Sequence, residues 1–125
     1  MNFYIDASNI HSGGGKTMLN DFISGALEHP DINFFIWIDK RYEMPQLIKD
    51  NQNLKFFLTN KLSRINPQFS IKKLSKKQDI IIFFGNLPPL IKFGSKTYLF
   101  QSNRYLIENY PTKGMSILTR LRINI

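Results

Sequence analysis

Five short apolar runs are spread along the chain, and several of them are continuous rather than alternating with polar residues. A continuous run is typical of a strand that is buried on both faces, whereas a strand with one wet face alternates. Most of the runs are separated by segments with helical spacing. The series predicts a βαβ progression and hence a doubly wound α/β domain with a parallel sheet. The predicted strands cover residues 3–5, 33–38, 54–58, 80–84 and 97–100.

The clearest predicted helix covers residues 16–28, because its apolar side chains recur every three or four positions and form one stripe. Shorter helices are predicted over 45–49, within 63–77 and from about Thr112 onward. The connection 85–94 contains adjacent prolines and leaves little room for a helix, so we expect an irregular crossover or loop there.

Three consecutive glycines lie between the first predicted strand and the first predicted helix. Glycine lets the backbone approach an anion closely, and the unpaired N–H groups at the start of a helix, together with its dipole, attract negative charge. The arrangement is shared by Rossmann-like proteins and predicts a phosphate site. Its residues are Gly13, Gly14, Gly15 and Lys16.

A P-loop is an alternative interpretation, because residues 15–17 (Gly-Lys-Thr) match the end of G-x-x-x-x-G-K-[ST]. The match is incomplete, since Ile10 occupies the position of the leading glycine and Asp79 precedes the apolar run that it should follow. The dinucleotide fingerprint G-x-G-x-x-G also fails, because Met18 occupies its last glycine position. A P-loop protein that binds nucleoside triphosphates stays open as a second hypothesis.

Charge is concentrated unevenly within the formal net charge of +8. Residues 1–50 hold seven of the nine acids, whereas the later residues hold thirteen of the 17 Lys and Arg. The segment 61–77 contains no acidic residue. Its apolar residues either face the core or insert into a membrane interface. The alternatives are a solvated helix face, a contact with anionic membrane, or nucleic acid. Its cations are Lys61, Arg64, Lys72, Lys73, Lys76 and Lys77.

Composition excludes several classes of protein. The 125 residues, of which 42% are hydrophobic and 14% aromatic, suffice for one packed domain. There is no cysteine, and His11 and His29 have no partner at ligand spacing, so we expect neither a metal nor a cofactor. Most aromatic residues belong to the strand runs, which makes nucleic acid an unlikely partner. Without an apolar stretch of bilayer length or a signal-like start, we expect a cytoplasmic protein, peripheral at most at the inner face of the membrane.

In a parallel sheet the loops after the carboxyl ends of the strands share one edge, and ligands of such sheets bind there. The polar residues at these ends favour a binding cleft over a purely structural seam. Besides the glycines, the edge would gather residues 39–41, 59–61, 85–86 and 102–104.

Two regions resemble GT-B glycosyltransferases, especially the retaining, family-4 type that builds bacterial surface polysaccharides. The first is Ile-Asp-Ala-Ser-Asn-Ile at 5–10, followed by Ser-Gly-Gly-Gly at 12–15 and the apolar helix. The second combines residues 79–86 (Asp-Ile-Ile-Ile-Phe-Phe-Gly-Asn) with residues 96–107. The similarity spans nearly the whole chain, although glycine-rich first turns are common among Rossmann-like proteins.

The resemblance implies an amino-terminal, acceptor-side domain that moves a sugar from a nucleotide sugar to a glycan or lipid-linked acceptor. It implies that the glycines face the donor diphosphate. The histidine that such enzymes often carry on this domain is not evident at the strand ends, so the catalytic residues stay unassigned. The positions that the resemblance gives to the acceptor side are Asn86, Ser102, Asn103 and Arg104.

The resemblance further implies that residues 1–125 are a single, incomplete acceptor-side domain and that the nucleotide-sugar domain is absent. We therefore expect no sugar transfer by this polypeptide alone. Three hypotheses follow from the sequence: a glycosyltransferase fragment, a P-loop protein, and a basic non-enzymatic module that binds membrane or nucleic acid.

Overall fold

The computed structural model of the chain describes residues 1–45, 51–60, 65–85 and 88–100. All five predicted strands are confirmed, with ends that shift by one or two residues. The helix predicted within 63–77 is confirmed as well, whereas those predicted over 45–49 and from Thr112 fall on segments outside the described residues. The elements are β1 (Asn2–Ala7), α1 (Gly13–Leu27), β2 (Asn33–Asp39), β3 (Leu54–Thr59), α2 (Ile65–Leu74), β4 (Ile80–Phe84) and β5 (Lys96–Phe100).

The strands form one parallel sheet in the order β3-β2-β1-β4-β5. This is the order of a Rossmann-like sheet. The chain moves outward on one side through β2 and β3, then crosses back to place β4 on the other side of β1. Adjacent strands β1 and β4 therefore mark a switch point, where the loops that follow them diverge and leave a crevice at the carboxyl edge.

The two helices pack on opposite faces of the sheet, because successive strand residues point to opposite sides. On one face, Leu19 and Ile23 of α1 pack in a cluster that includes Ile5 of β1. On the other face, Ile71 of α2 packs with Tyr4 of β1. The doubly wound arrangement follows from these two separate cores, which meet at the backbone of the central strand β1.

Helix α1 begins at Gly13 and not, as predicted, at Lys16. Glycine is among the poorest helix formers, so the sequence favoured a loop through all three glycines. In the structure Gly13 takes φ +67° and turns the chain, and the next two glycines already belong to the first helical turn. The glycines are thus part of the helix terminus itself rather than of a loop that precedes it.

Described residues 88–95, in the connection from β4 to β5, contain no helix, as predicted. This segment is tied to α2 by a hydrogen bond of 2.8 Å from the Leu90 N–H to the Oε1 of the buried Gln68. At the opposite, amino-terminal edge of the sheet, the Asp79 carboxylate accepts hydrogen bonds from the N–H groups of Asn2 (3.1 Å) and Lys76 (2.8 Å). The first contact ties the β4–β5 connection to α2, and the bonds of Asp79 tie the start of β4 to β1 and to the segment after α2.

Candidate phosphate site at the switch point of the sheet

The turn between β1 and α1 is fixed by hydrogen bonds to a buried carboxylate at the end of β1. The N–H of Ile10 donates to the carbonyl of Ala7 at 3.0 Å, which closes a four-residue turn. Asp6 is buried at the end of β1, and its carboxylate accepts hydrogen bonds from the N–H and the hydroxyl of Ser8. The loop that leads to the glycines therefore has a fixed course before any ligand is bound.

The three glycines have different physical reasons to be glycine. Gly13 has a positive φ, which L side chains rarely adopt, and a Cβ on Gly15 would lie 3.0 Å from Cδ1 of Ile10. Gly14 has neither constraint: its φ is not positive, and a Cβ there would meet no atom within 4 Å. Gly14 is exposed, so the absence of its side chain leaves open space above the first turn of α1.

The first turn of α1 is uncapped. Ser12 occupies the N-cap position with extended backbone (φ −153°, ψ 171°), and its side chain makes no capping hydrogen bond. The turn carries no acidic side chain either. The first N–H groups of a helix have no partner within it, so this terminus presents donors and a positive dipole end to the space above Gly14.

Lys16 lies in the same turn, with Nζ 3.8 Å from Oε2 of Glu43. Glu43 is almost fully exposed, and an ion pair of this length at the surface contributes little to stability. The ammonium group therefore has little to lose by turning toward an anion, and Lys16 is the charged member of the predicted phosphate site.

Asp39 and Arg41, at the end of β2, form a bidentate ion pair beside the site. The Nε and Nη2 of Arg41 donate to the two carboxylate oxygens at 2.9 and 2.7 Å, and the backbone N–H of Arg41 adds a bond of 2.8 Å. These hydrogen bonds lower the pKa of Asp39 to about 2, although its burial acts in the opposite direction and the charge of His11 adds to the lowering. The Nδ1 atom of His11 is buried without a hydrogen-bond partner in the described part of the chain.

The loop after β2 is also fastened to α1. The hydroxyl of Tyr42 donates a short hydrogen bond to Oδ1 of Asn20, and the ring packs within the core beneath α1. Burial raises the pKa of Tyr42, so this hydroxyl stays protonated at neutral pH. The ends of β1 and β2 and the first half of α1 thus form one rigid wall of the crevice.

The opposite wall starts at Gly85, the residue after β4. Gly85 has φ +125°, and a Cβ built on it would lie 2.7 Å from Oδ1 and 3.0 Å from Cγ of Asn9, and closer than that to Nδ2. The side chain of Asn9 therefore lies across the backbone at the end of β4. The positive φ of Gly85 is the main reason for glycine there, because the exposed end of Asn9 can move. This contact joins the two strands of the switch point at their carboxyl ends.

The other predicted site residues are separated from this crevice or fall outside the described residues. The acceptor-side positions Asn86, Ser102, Asn103 and Arg104, and the basic residues Lys61 and Arg64, lie outside them. The remaining basic residues are exposed, in the last turn of α2 or just after it. There α2 approaches the amino-terminal half of the sheet, since the Tyr4 hydroxyl donates to the carbonyl of Leu74 at 3.1 Å. Those residues are Lys72, Lys73, Lys76 and Lys77.

A cavity of about 520 Å³ lies elsewhere, on the α1 face over β4 and β5. Its lining is apolar, with Asp21 as the single charged side chain among the described lining residues, so it lacks the converging polar groups of a phosphate site. The polar crevice at the switch point is the better candidate, because donors, a cation and open space meet there. Besides Asp21, its described lining residues are Met18, Phe22, Ile82, Phe84, Tyr98, Leu99 and Phe100.

The described residues show neither a metal cluster nor a membrane-spanning helix. They contain no group of three or more His, Cys, Asp or Glu side chains arranged to hold a metal ion. Neither described helix combines the length and the apolar character needed to cross a bilayer. Asp79, which precedes β4, lies at the amino-terminal edge of the sheet, away from the glycines, where a P-loop would not use it.

No family model, curated protein or solved structure matches this chain. The functional interpretation therefore depends on the geometry of the crevice and on the resemblance carried by its motifs.

The sequence identified the glycines and Lys16, and it identified residues 39–41 as part of the edge. It did not identify Asn9 as a neighbour of Gly85, because no spacing relates two loops that are 76 positions apart. The only sequence signal for that contact was a glycine at the end of an apolar run, which indicates close backbone approach without naming the neighbour.

Proposed function

We propose that this chain is the acceptor-side domain of a GT-B glycosyltransferase, which moves a sugar from a nucleotide-sugar donor to a glycan or lipid-linked acceptor. In this proposal the first turn of α1 binds phosphate groups of the donor. The order of elements and the two resembling regions, 5–15 and 79–107, support the assignment.

The observation that carries the proposal is the open glycine at position 14. Neither backbone conformation nor packing requires glycine there, and alanine would make a better helix. Gly25 is equally open but lies in the last turn of α1. At position 14 the open space adjoins the free N–H groups of the first turn, where a ligand can approach closely and a Cβ would stand in its way. The uncapped Ser12 and the weakly paired Lys16 favour an anion as that ligand.

A P-loop protein is the less favoured alternative. A P-loop requires a free magnesium ligand at the carboxyl end of a strand beside β1. Asp39 lies at such an end but is bound bidentately by Arg41, and Asp79 bonds the backbone at the other edge of the sheet. Ile10, at the position of the leading glycine, packs its side chain against Gly15. These contacts favour a site that binds phosphate through helix N–H groups without a dedicated metal.

The test is an NMR titration of the ¹⁵N-labelled chain with pyrophosphate and with uridine diphosphate, each with and without magnesium. We expect both to shift the amides of residues 13–16, and Gly14→Ala to weaken the effect. Gly25→Ala is the matched control, because Gly25 belongs to the same helix, is exposed and has equally open space around it. Binding of ATP that requires magnesium and is lost in Lys16→Ala would favour the P-loop instead; no shift at residues 13–16 would refute the proposed site.

We further propose that the exposed side of α2 contacts anionic membrane, where a lipid-linked acceptor would be found. The helix buries Pro67, Gln68 and Ile71 toward the sheet. It leaves Ile65 and Phe69 38% and 56% exposed, beside exposed lysines and without an acidic residue in the helix. An apolar side chain surrounded by lysines favours the interface of an anionic bilayer. The apolar group is buried among the acyl chains, and the lysines are attracted to the negative headgroups.

Sedimentation with vesicles tests this contact. We expect the chain to pellet with phosphatidylglycerol vesicles, to remain in solution with phosphatidylcholine, and to be released by high salt. Phe69→Ser should weaken binding by about tenfold or more, since burying this ring contributes about 1.5–3 kcal/mol. Leu58→Ser, at an apolar residue that is 71% exposed on β3, is the control. Equal pelleting with both lipids would contradict the proposal.

A further inference from the structure

The α1 face of the sheet has an open, concave region over β4 and β5. The chain reaches these two strands through α2 and through the β4–β5 connection, and both lie on the other face, where Ile71 and Phe93 pack in one cluster with Phe83. Handedness explains this, because right-handed crossovers on the two sides of β1 cover opposite faces. On the α1 face, the described lining of the cavity of about 520 Å³ therefore comes from α1, β4 and β5 alone.

Aromatic rings form much of the surface of this cavity. The ring of Phe84 meets that of Phe22 edge-on, at 5.2 Å between centroids, and stacks with that of Phe100 at 5.0 Å. Tyr98 lies two positions before Phe100 on β5 and so on the same face of the strand. Tyr98 and Phe100 remain 55% and 40% exposed. Because the faces of such rings carry negative electrostatic potential, the cavity combines apolar surface with an affinity for cations.

Asp21 is the charged side chain of the cavity, and it is exposed. Within the described part of the chain its carboxylate forms no ion pair and no hydrogen bond, and the described lining includes no lysine or arginine. The local charge is thus opposite to the formal net charge of +8. An unpaired carboxylate beside aromatic surface is complementary to a positive charge carried on an apolar body.

We propose that the cavity binds a small organic ammonium ion, whose apolar body packs on Phe84 and Phe100 and whose charge faces the carboxylate of Asp21. The cavity volume of about 520 Å³ is within the range of about 300–1,000 Å³ that is usual for small-molecule sites. None of residues 13–16 lines the cavity. This second ligand is therefore independent of the phosphate site.

NMR titrations of the ¹⁵N-labelled chain with three probes test the two parts of the site. Phenethylammonium has the ring and the charge, phenethyl alcohol has the ring without the charge, and ethylammonium has the charge without the ring. We expect phenethylammonium to shift the amides of residues 21–22, 84 and 98–100, and to bind about three to ten times more tightly than the alcohol. Ethylammonium should bind about tenfold more weakly or worse, because it buries little apolar surface.

Variants assign the two contributions. Asp21→Asn keeps the shape of the side chain without its charge, so the preference for phenethylammonium should disappear while the alcohol binds as before. Phe100→Leu should weaken both of these probes by about threefold or more. The controls are Asp31→Asn, at an exposed acid in the turn before β2, and Phe57→Leu, at a phenylalanine of β3 that is 37% exposed. Both controls should bind the three probes as the wild-type chain does.

Several outcomes would overturn the proposal. Equal affinity for phenethylammonium and phenethyl alcohol, or a preference that survives in Asp21→Asn, would show that charge is not recognised. Absence of shifts at the cavity amides with all three probes would show that the cavity has another occupant. Shifts of the same amides with protein concentration alone would assign this face to a second copy of the chain. None of these outcomes depends on residues 13–16, so the proposed function is tested separately.

Discussion

Replacing Gly14 with alanine separates the two effects that a glycine has at this position. Glycine in a helix is less stable than alanine by about 0.5–1 kcal/mol, because the unfolded chain gains conformational freedom. The structure adds no steric penalty, since the new Cβ would meet no atom within 4 Å. We therefore expect Gly14→Ala to raise the free energy of unfolding by up to about 1 kcal/mol.

The same methyl group should weaken phosphate binding. It occupies the open space above the first turn and keeps the anion from the N–H groups there. The loss of one hydrogen bond to a charged group is about 1.5–3 kcal/mol, so the dissociation constant should rise by roughly ten- to a hundredfold. Higher stability together with weaker phosphate binding in Gly14→Ala would indicate that glycine at this position serves ligand binding.

Urea denaturation measures the stability, and isothermal titration with pyrophosphate measures the binding. Gly25→Ala should gain similar stability without a change in affinity, because Gly25 lies in the last turn of the same helix. If Gly14→Ala binds pyrophosphate as tightly as the wild-type chain, the reasoning from the open glycine is wrong. If it is destabilised, the assumption of free space above the helix fails.

Three further changes test the ion pair after β2, the amino-terminal edge of the sheet and the end of β4. In Asp39→Asn the ion pair with Arg41 is lost; since the folded pKa of about 2 is below the usual 3.8, the stability that ionised Asp39 contributes is present above about pH 4 and lost as the pH falls toward 2. Urea titrations should give a deficit of about 1–2 kcal/mol at pH 7, discounted for the partial exposure of Arg41, and a much smaller one at about pH 2, where half of the folded carboxyl is protonated; a deficit independent of pH would contradict this. Asn53→Ala removes a buried Nδ2 that donates to carbonyls at the end of α1 and before β2, so the free energy of unfolding should fall by about 1–3 kcal/mol, and an unchanged urea midpoint would count against that role. Gly85→Ala should cost about 1–3 kcal/mol through its backbone alone, so removing the facing side chain in Asn9→Ala should restore little of the loss; a full rescue would show that the cost is steric.

Much of the fold follows from local pattern. Short apolar runs predicted all five strands. The continuous run of β4 reflects a strand next to the centre of the sheet, whereas the edge strands β3 and β5 include lysine and threonine and leave residues exposed. The predicted start of α1 was three residues too late, because the low helix propensity of glycine argued against a helix through residues 13–15. That preference was overridden by the turn at Gly13 and by the packing of Leu19 and Ile23 on the sheet, which fixes the course of the helix.

The site was predicted only where its residues are adjacent in the chain. Local spacing was enough to predict the strands, the αβ alternation, and the three glycines and lysine near a helix start, because all of these depend on neighbours a few positions apart. Only the packed sheet places β4 beside β1, Asn9 on Gly85, and the hydrogen bonds of Asp79 at the far edge. The reason is physical: strand order is set by how the two helices cover opposite faces of the sheet, and no local spacing encodes which distant loops that order brings together.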